Sequence, residues 1–457
     1  MVGIAGLLVT SEDSDSNLML QKMSEAIKHR RCETYHTVNQ SDSLCLIVGP
    51  QSFQGPKDVL FIIDFNEDLK ISEDYDDITS IRGIFGVVAV IISQSRVSLL
   101  RTLDGSRTLY YAKIGNGFAF ATERKSLWSI GIDSVQTVQP GQGIQISWDG
   151  NLARERFTTL KKPQRSQKSR EETLDLLKQR LLTSFQRLKK DTSCAVLFSG
   201  GVDSTLAAVQ TSRQCEDTLL VTTRSIGAHD DKVATKAAKQ LGLPLLSVDL
   251  NPEVIWGILP EVIYSIETSR QMDVEIALPF YLASKMAADE DCTTVVSGQG
   301  PDELYAGYMK HVRTFTKDGP DALMEQLWKE VSMTHDANIE RDDRAIAAHG
   351  LDSFFPYLDQ EFVKASLSVP VEWKINPGCT PQRKVIFREL AQLMGVPEDI
   401  ANAPKNATQY SSGSSKAILE SIIMNVDGFK ELSKKKASER VQNVLDMIAS
   451  DLGMPTG

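Results

Sequence analysis

The run Ser199-Gly200-Gly201-Val202-Asp203-Ser204 constrains this chain more than any other feature. Directly before it stand Ala195-Val196-Leu197-Phe198, a short buried-strand signal, and after it Ser204–Arg213 reads as a helix. Two adjacent glycines let the backbone approach a ligand, and a helix N-terminus offers unpaired amides that favour an anion. Ser199 and Ser204 add hydroxyl donors. The Gly-Lys-Ser/Thr ending of a Walker loop is missing, so a phosphate-binding turn of another kind is expected.

The flanking sequence fits an α/β unit. Glu171–Lys189 reads as a helix, Leu219–Thr223 as a strand, Asp230–Leu241 as a helix and Leu245–Asp249 as a strand. Two helices over Glu253–Ala288 and a strand at Thr293–Ser297 follow, and beyond Asp302 the pattern is mostly helical. Alternation of this kind implies a parallel sheet covered by helices on both faces. The last of these strands runs into a second turn, Ser297-Gly298-Gln299-Gly300-Pro301-Asp302-Glu303-Leu304-Tyr305-Ala306-Gly307-Tyr308. In a parallel sheet the carboxyl ends of the strands share one crevice, so the two turns are expected to face one ligand. Asp203 and Asp302 then become candidate hard-oxygen ligands for Mg²⁺ on a triphosphate.

The first part of the chain has another character. Ile4–Val9, Leu44–Val48, Val59–Ile63, Phe85–Ile92, Val97–Leu103, Phe118–Ala121 and Gly143–Trp148 are short and strand-like, with one helical stretch at Leu18–His29. Turn chemistry at Asp104-Gly105, Pro140-Gly141 and Asp149-Gly150 punctuates them. An α+β domain over 1–157 is expected, dominated by two layers of sheet. Residues 158–170, polar and basic from Lys161 to Arg170, read as a solvated linker to a second domain over 171–457. A net charge of −10 (50 basic against 60 acidic residues) argues against nucleic acid as a partner. No apolar run approaches membrane-spanning length, and the N-terminus lacks the basic flank of a secretory signal. The six scattered cysteines form no CxxC pair, which points to a reducing compartment, the cytoplasm, with no zinc site or disulfide framework.

The first turn resembles the PP-loop of ATP pyrophosphatases, and the chain as a whole resembles the asparagine synthetase family. The resemblance rests on Phe198–Ser204, Val262–Thr268, Leu278–Leu282 and Ser297–Tyr308. It continues through Arg341-Asp342-Asp343-Arg344, Ala348–Leu351, Pro356–Asp359 and Lys384-Val385-Ile386-Phe387-Arg388. In the first half it rests on His29-Arg30, Leu109–Tyr111, Phe120–Leu127 and Val138–Gly141. It implies an N-terminal class II glutamine-amidotransferase-like (Ntn-type) sheet domain joined to an α/β PP-loop synthetase domain. The second domain would adenylate a carboxylate with ATP and Mg²⁺ and let an amine displace AMP; the chain is also similar to the β-lactam synthetases. By resemblance, Leu197, Ser199, Gly200, Gly201, Asp203, Ser204, Ile226, Ser297 and Gly298 would hold ATP, with Asp203 and Asp302 on the metal. Lys405, in the loop Asn402–Ser414, would face the adenylate as a catalytic cation, beside Gln299.

Several positions depart from the family pattern. The family's nucleophilic cysteine follows the initiator Met, whereas Val2 stands here, with nothing to attack an amide. Arg30-Arg31-Cys32-Glu33 replaces Arg-Gly-Pro-Asp, and Asn66-Glu67 is all that remains of an Asn-Gly-Glu loop. Cys32 lies after a helix without a neighbouring α-amine, so it makes a poor substitute nucleophile. Gln299 replaces a glutamate, losing a charge and any general-base role. Glu275 stands for a substrate-binding arginine and is expected to repel a substrate carboxylate such as that of aspartate. Ser353 stands for a second arginine. The reading is therefore an ammonia-dependent, AMP- and pyrophosphate-forming ligase acting on a small carboxylate and an amine, with asparagine synthesis as the family default. The alternatives are a β-lactam-synthetase-like ligase with another substrate and a non-catalytic nucleotide-binding scaffold. A homodimer is compatible with the sequence.

Overall fold

The computed structural model describes residues 3–9, 14–31, 34–40, 43–50, 52–54, 60–64, 88–225, 231–378, 380–403 and 411–455. The chain divides into two compact units, one of residues 1–160 with 449–457, the other of residues 161–448.

In the first unit twelve strands are described: β1 (Ala5–Val9), β2 (Thr34–Gln40), β3 (Ser43–Gly49), β4 (Ser52–Gln54), β5 (Leu60–Asp64) and β6 (Val88–Ile92), then β7 (Arg96–Arg101), β8 (Tyr110–Ile114), β9 (Gly117–Ala121), β10 (Gln136–Thr137), β11 (Gln142–Ser147) and β12 (Leu152–Arg156). They form two six-stranded sheets, ordered β10-β8-β9-β1-β3-β2 and β12-β11-β7-β6-β5-β4. The period-2 alternation of β1 explains the layering. Leu8, with Ile4 before the strand, joins Ile47, Val90, Leu99 and Ile144 in a core drawn from both sheets. Ala5 and Leu7 point the other way, into a second cluster with Leu20 and Met23 of the helix Ser14–Ala26. The expected two sheet layers are present, with a helical layer on one. Strands β2 and β12 escaped the sequence reading because Thr34–Gln40 is half exposed and Leu152–Arg156 is mostly charged or exposed.

The first unit also buries an ionic cluster. Glu123 is fully buried and meets Arg30 Nε, Lys125 Nζ at 2.6 Å and His29 Nε2 at 3.1 Å. Burial pushes the Glu123 carboxyl up, but Arg30, His29 and Lys125 overcome that and hold it well below the usual carboxylate range.

In the second unit, β13 (Ser193–Leu197), β14 (Asp217–Ser225), β15 (Leu245–Leu250), β16 (Thr294–Val296) and β17 (Asp352–Phe354) form a parallel sheet ordered β15-β14-β13-β16-β17. The chain adds strands outward on one side of β13, then returns to start the other side with β16. The strand order therefore reverses between β13 and β16, and such a switch point opens a crevice beyond the carboxyl ends of both strands. The stretch Lys161–Arg170 does not behave as a free linker. It is largely exposed, yet Lys162 pairs with Glu325 at 2.5 Å, Arg165 with Glu372 at 3.0 Å, and Ser166 N–H donates to Ser368 O at 2.8 Å. Its charges lay it along the second unit. Among the described residues no helix is long and apolar enough to cross a membrane.

Lys374 is an anomaly of this unit. It is fully buried, and among the described residues its Nζ finds no hydrogen-bond partner; the Tyr305 ring centroid lies 5.6 Å away. Burial lowers its pKa to about 7 from 10.5. Protonation is thus disfavoured in the folded state, so the penalty is full below pH 7 and is relieved as pH rises towards 10.5. Lys374→Met is expected to stabilise the protein by about 2–5 kcal/mol near neutral pH. Denaturant unfolding at several pH values checks this, since the gain must shrink between pH 7 and 10.5.

Candidate active site

The first turn follows β13, and its geometry is set by Gly200. That residue sits at φ +72°, and an added Cβ would come within 2.9 Å of Val233 O and 3.0 Å of Ala234 backbone, so only glycine fits. The helix Val202–Gln214 then starts with Gly201 as N-cap and no side-chain cap, which leaves its first amides available. Ser199 and Ser204 hydroxyls stand 3.1 Å apart, and Ser204 Oγ donates to Gly201 O at 3.3 Å. Tyr357, just past β17, donates to Asp203 O at 2.8 Å and ties the turn to the segment that follows β17, two strands away.

The second turn follows β16 and touches the first. An added Cβ on Gly298 would lie 3.2 Å from Ser204 N and 3.4 Å from Asp203 C, so a side chain there would push the two turns apart by a few tenths of an ångström. Between them the turns line one cavity of about 370 Å³. Leu197, Ser199, Gly200, Gly201, Asp203 and Ser204 reach it from the first turn. Ser297, Gly298, Gln299 and Asp302 reach it from the second. Two residues expected here, Ile226 and Lys405, lie outside the described residues, as do Val2, Cys32 and Asn66-Glu67.

Lys384 joins the two aspartates, a role that sequence reading did not assign. Its buried Nζ lies 2.6 Å from Asp203 Oδ2 and 2.9 Å from Asp302 Oδ1. Burial pulls its pKa down, and the two carboxylates more than reverse this, so the ammonium is held charged. The residue sits at φ +58°, immediately after a short hairpin of Ile375–Asn376 and Gln382–Arg383, and the hairpin delivers the side chain to the cavity. Asp203 Oδ1 is buried and, among the described residues, has no hydrogen-bond partner, so it is an acceptor open to a cation. Two carboxylates of which one keeps an orphaned oxygen suit Mg²⁺, which takes one or two protein carboxylates and completes its shell with phosphate and water.

The cavity is lined by both apolar and polar side chains. Ile276, Pro279, Phe280 and Ala283 of the helix Gln271–Asp289 line it at i, i+3, i+4, i+7 spacing, opposite Val221 and Thr223 of β14. Its polar side chains include Gln299, Asn338, Arg341 and Tyr308. Asn338 belongs to a π-helical turn, His335–Ile339, which joins the helices Pro320–Thr334 and Glu340–Ala347; such turns recur at functional sites. Gln299 Nε2 donates to buried Asp342 at 3.0 Å, and Arg341 pairs with Asp342 at 2.7 Å and Asp273 at 3.4 Å. Burial raises the Asp342 carboxyl above its ordinary value.

The two altered acceptor positions have other contacts. Glu275 is not among the described residues that line this cavity. Its Oε1 accepts from Gln271 Nε2 at 2.7 Å and Ser415 Oγ at 2.8 Å, so its charge helps hold the helix Ser411–Asn425. Ser353 lies within β17, donating to the buried Asp343 at 2.6 Å, and is likewise a packing residue.

Known proteins match this chain across the same region. A sequence model of the family described as asparagine synthase matches residues 176–320 and 314–437. A Methanocaldococcus jannaschii protein with a provisional asparagine synthetase (glutamine-hydrolyzing) name is 30% identical over 441 residues, covering 87% of this chain and 78% of its own. The asparagine synthetase (glutamine-hydrolyzing) of Cricetulus griseus is 28% identical, over 72% of this chain and 63% of its own. The chain thus spans less than two thirds of the latter relative. Among solved structures, an NH3-dependent NAD synthetase from Campylobacter jejuni aligns at 12% identity and a TM-score of 0.27, over 64% of this chain and 99% of that one.

Proposed function

The chain belongs to the asparagine synthase family, and we propose that its second unit couples ATP cleavage to amide formation. A carboxylate oxygen attacks the α-phosphorus, the bond to pyrophosphate breaks, and an acyl-adenylate forms; an amine then attacks the carbonyl carbon and AMP leaves. The observation that carries this reading is the meeting of the two turns in one cavity, with Asp203 and Asp302 joined through Lys384. The amides opening the helix Val202–Gln214 and the hydroxyls of Ser199 and Ser204 would bind the phosphates. The apolar wall of Ile276, Pro279 and Phe280 suits the face of a purine ring.

Asp203 and Asp302 would hold Mg²⁺, which when bound neutralises phosphate charge and orients the leaving pyrophosphate. Lys384 keeps the two carboxylates from repelling each other before nucleotide arrives. Gln299, fixed by its bond to Asp342, orients the reacting groups without taking up a proton. We assign Lys405 to the charge that builds on the α-phosphate and the attacked carbonyl. The protein is read as a cytoplasmic enzyme. Carboxylate-stimulated exchange between ATP and labelled pyrophosphate is the test. Exchange with one carboxylate supports the ligase, and binding of ATP with no exchange across a carboxylate panel means a nucleotide-binding scaffold.

The first unit is read as amidotransferase-like in origin but without glutaminase chemistry, because Val2 cannot form a thioester. Glutamine is therefore expected to yield no ammonia above an enzyme-free blank, while ammonium supports product formation. Glutamine hydrolysis that survives Cys32→Ala would overturn this assignment.

A further inference from the structure

Away from the cavity, the lower end of the parallel sheet carries three thiols. Cys194 is the second residue of β13, Cys215 caps the C-terminus of the helix Val202–Gln214, and Cys292 precedes β16. Cys194 Sγ and Cys215 Sγ lie 3.0 Å apart, both buried, and both are free thiols. A disulfide needs about 2 Å, so bond formation asks for a closure of about 1 Å. The two residues bracket the strand, the first turn and the helix, 21 positions apart.

We propose that Cys194 and Cys215 are a reversible redox dithiol, oxidised by a small peroxide to an intrachain disulfide that closes a covalent ring around the phosphate-binding turn. The Cys215 thiolate attacks one peroxide oxygen, the O–O bond breaks, and hydroxide leaves, giving a sulfenic acid. The Cys194 sulfur then attacks the Cys215 sulfur, and the hydroxyl leaves as water with the Cys194 proton. Two thiols and one hydrogen peroxide thus become one disulfide and two waters. Cys215 is the attacking sulfur, because it is the one of the pair that an oxidant can reach. It keeps 4% of its surface, at the end of a helix, whereas Cys194 keeps none. The exposed charges around this end are mostly acidic, with Asp191, Glu216, Asp217, Glu290 and Asp291 against Lys189 and Lys190, which favours a neutral oxidant over an anionic disulfide such as oxidised glutathione.

Peptide mapping of the full chain decides the matter, after hydrogen peroxide treatment and alkylation of the remaining thiols. A peptide joining Cys194 to Cys215 is expected, lost on adding dithiothreitol, together with an upward Tm shift of about 5–10 °C that dithiothreitol reverses. Cys194→Ser and Cys215→Ser should each abolish both effects, and Cys292→Ser should leave both intact. A cross-link through Cys292, or irreversible oxidation of Cys215 without a cross-link, would overturn the proposal. So would unchanged thiol content at peroxide levels that oxidise an exposed thiol. Because the wild-type map is decisive alone, a serine variant that fails to fold does not weaken the test.

Discussion

Asp203→Asn is expected to lower carboxylate-dependent ATP–pyrophosphate exchange by about 10²–10⁴-fold, and Asp302→Asn to do the same. Each substitution keeps shape but removes a charge from the pair facing the triphosphate. A metal's stabilisation of developing phosphate charge is worth several kcal/mol, at about 1.4 kcal/mol per tenfold. The effect should fall on kcat, with circular dichroism unchanged, because Lys384 retains one partner in either variant. Raising the Mg²⁺ concentration should restore part of the loss if the aspartates act through the metal. Near-normal exchange in both variants would remove them from the site.

The second large effect lies in the first unit and concerns stability. Glu123→Gln leaves Arg30 and Lys125 buried without their anion, and breaking a buried pair by removing one member costs about 3–5 kcal/mol. The pH dependence follows from the depressed carboxyl. A group bound more weakly to its proton when folded contributes fully above its unfolded value, 4.5, and loses that contribution as pH falls through the folded value. The gap between Glu123→Gln and the parent protein should therefore be widest above pH 4.5 and close in stronger acid. Equal denaturant midpoints at neutral pH would show that the cluster contributes nothing net.

The sequence exposes those parts of the second unit whose chemistry is local. A glycine pair between a buried strand and a helix is legible because strand, turn and helix are contiguous. The same holds for Ser297–Asp302. What stayed hidden depends on distant residues. β17 is only Asp-Ser-Phe, too short and too polar for an apolar run, and its place in the sheet comes from pairing with β16. Lys384 carries no local mark of its role; a two-residue hairpin and a left-handed backbone bring it to Asp203. Asn338 and Arg341 reach the cavity because a π-turn shifts the helical phase, which a 3.6-residue period cannot anticipate. Glu275 is no easier to place: it lies four residues before Pro279, about 40° from the edge of the helical stripe 276, 279, 280, 283, and its bonds to Gln271 and Ser415 set its direction.

The bond from Lys384 to Asp203 spans 181 positions of chain. Until that span has closed, Asp203 and Asp302 can approach only as like charges, and the turns that carry them are drawn together against repulsion. Closing so long a span by diffusion is slow, and contacts of high sequence separation dominate the folding times of domains built on parallel sheets. The cavity read as a nucleotide pocket is therefore expected to be completed late in folding. During synthesis the strand, turn and helix around Gly200 leave the ribosome long before their counter-ion does. If the cavity binds ATP as proposed, nucleotide binding should recover later than helix content during refolding, because only the first needs Lys384 in place.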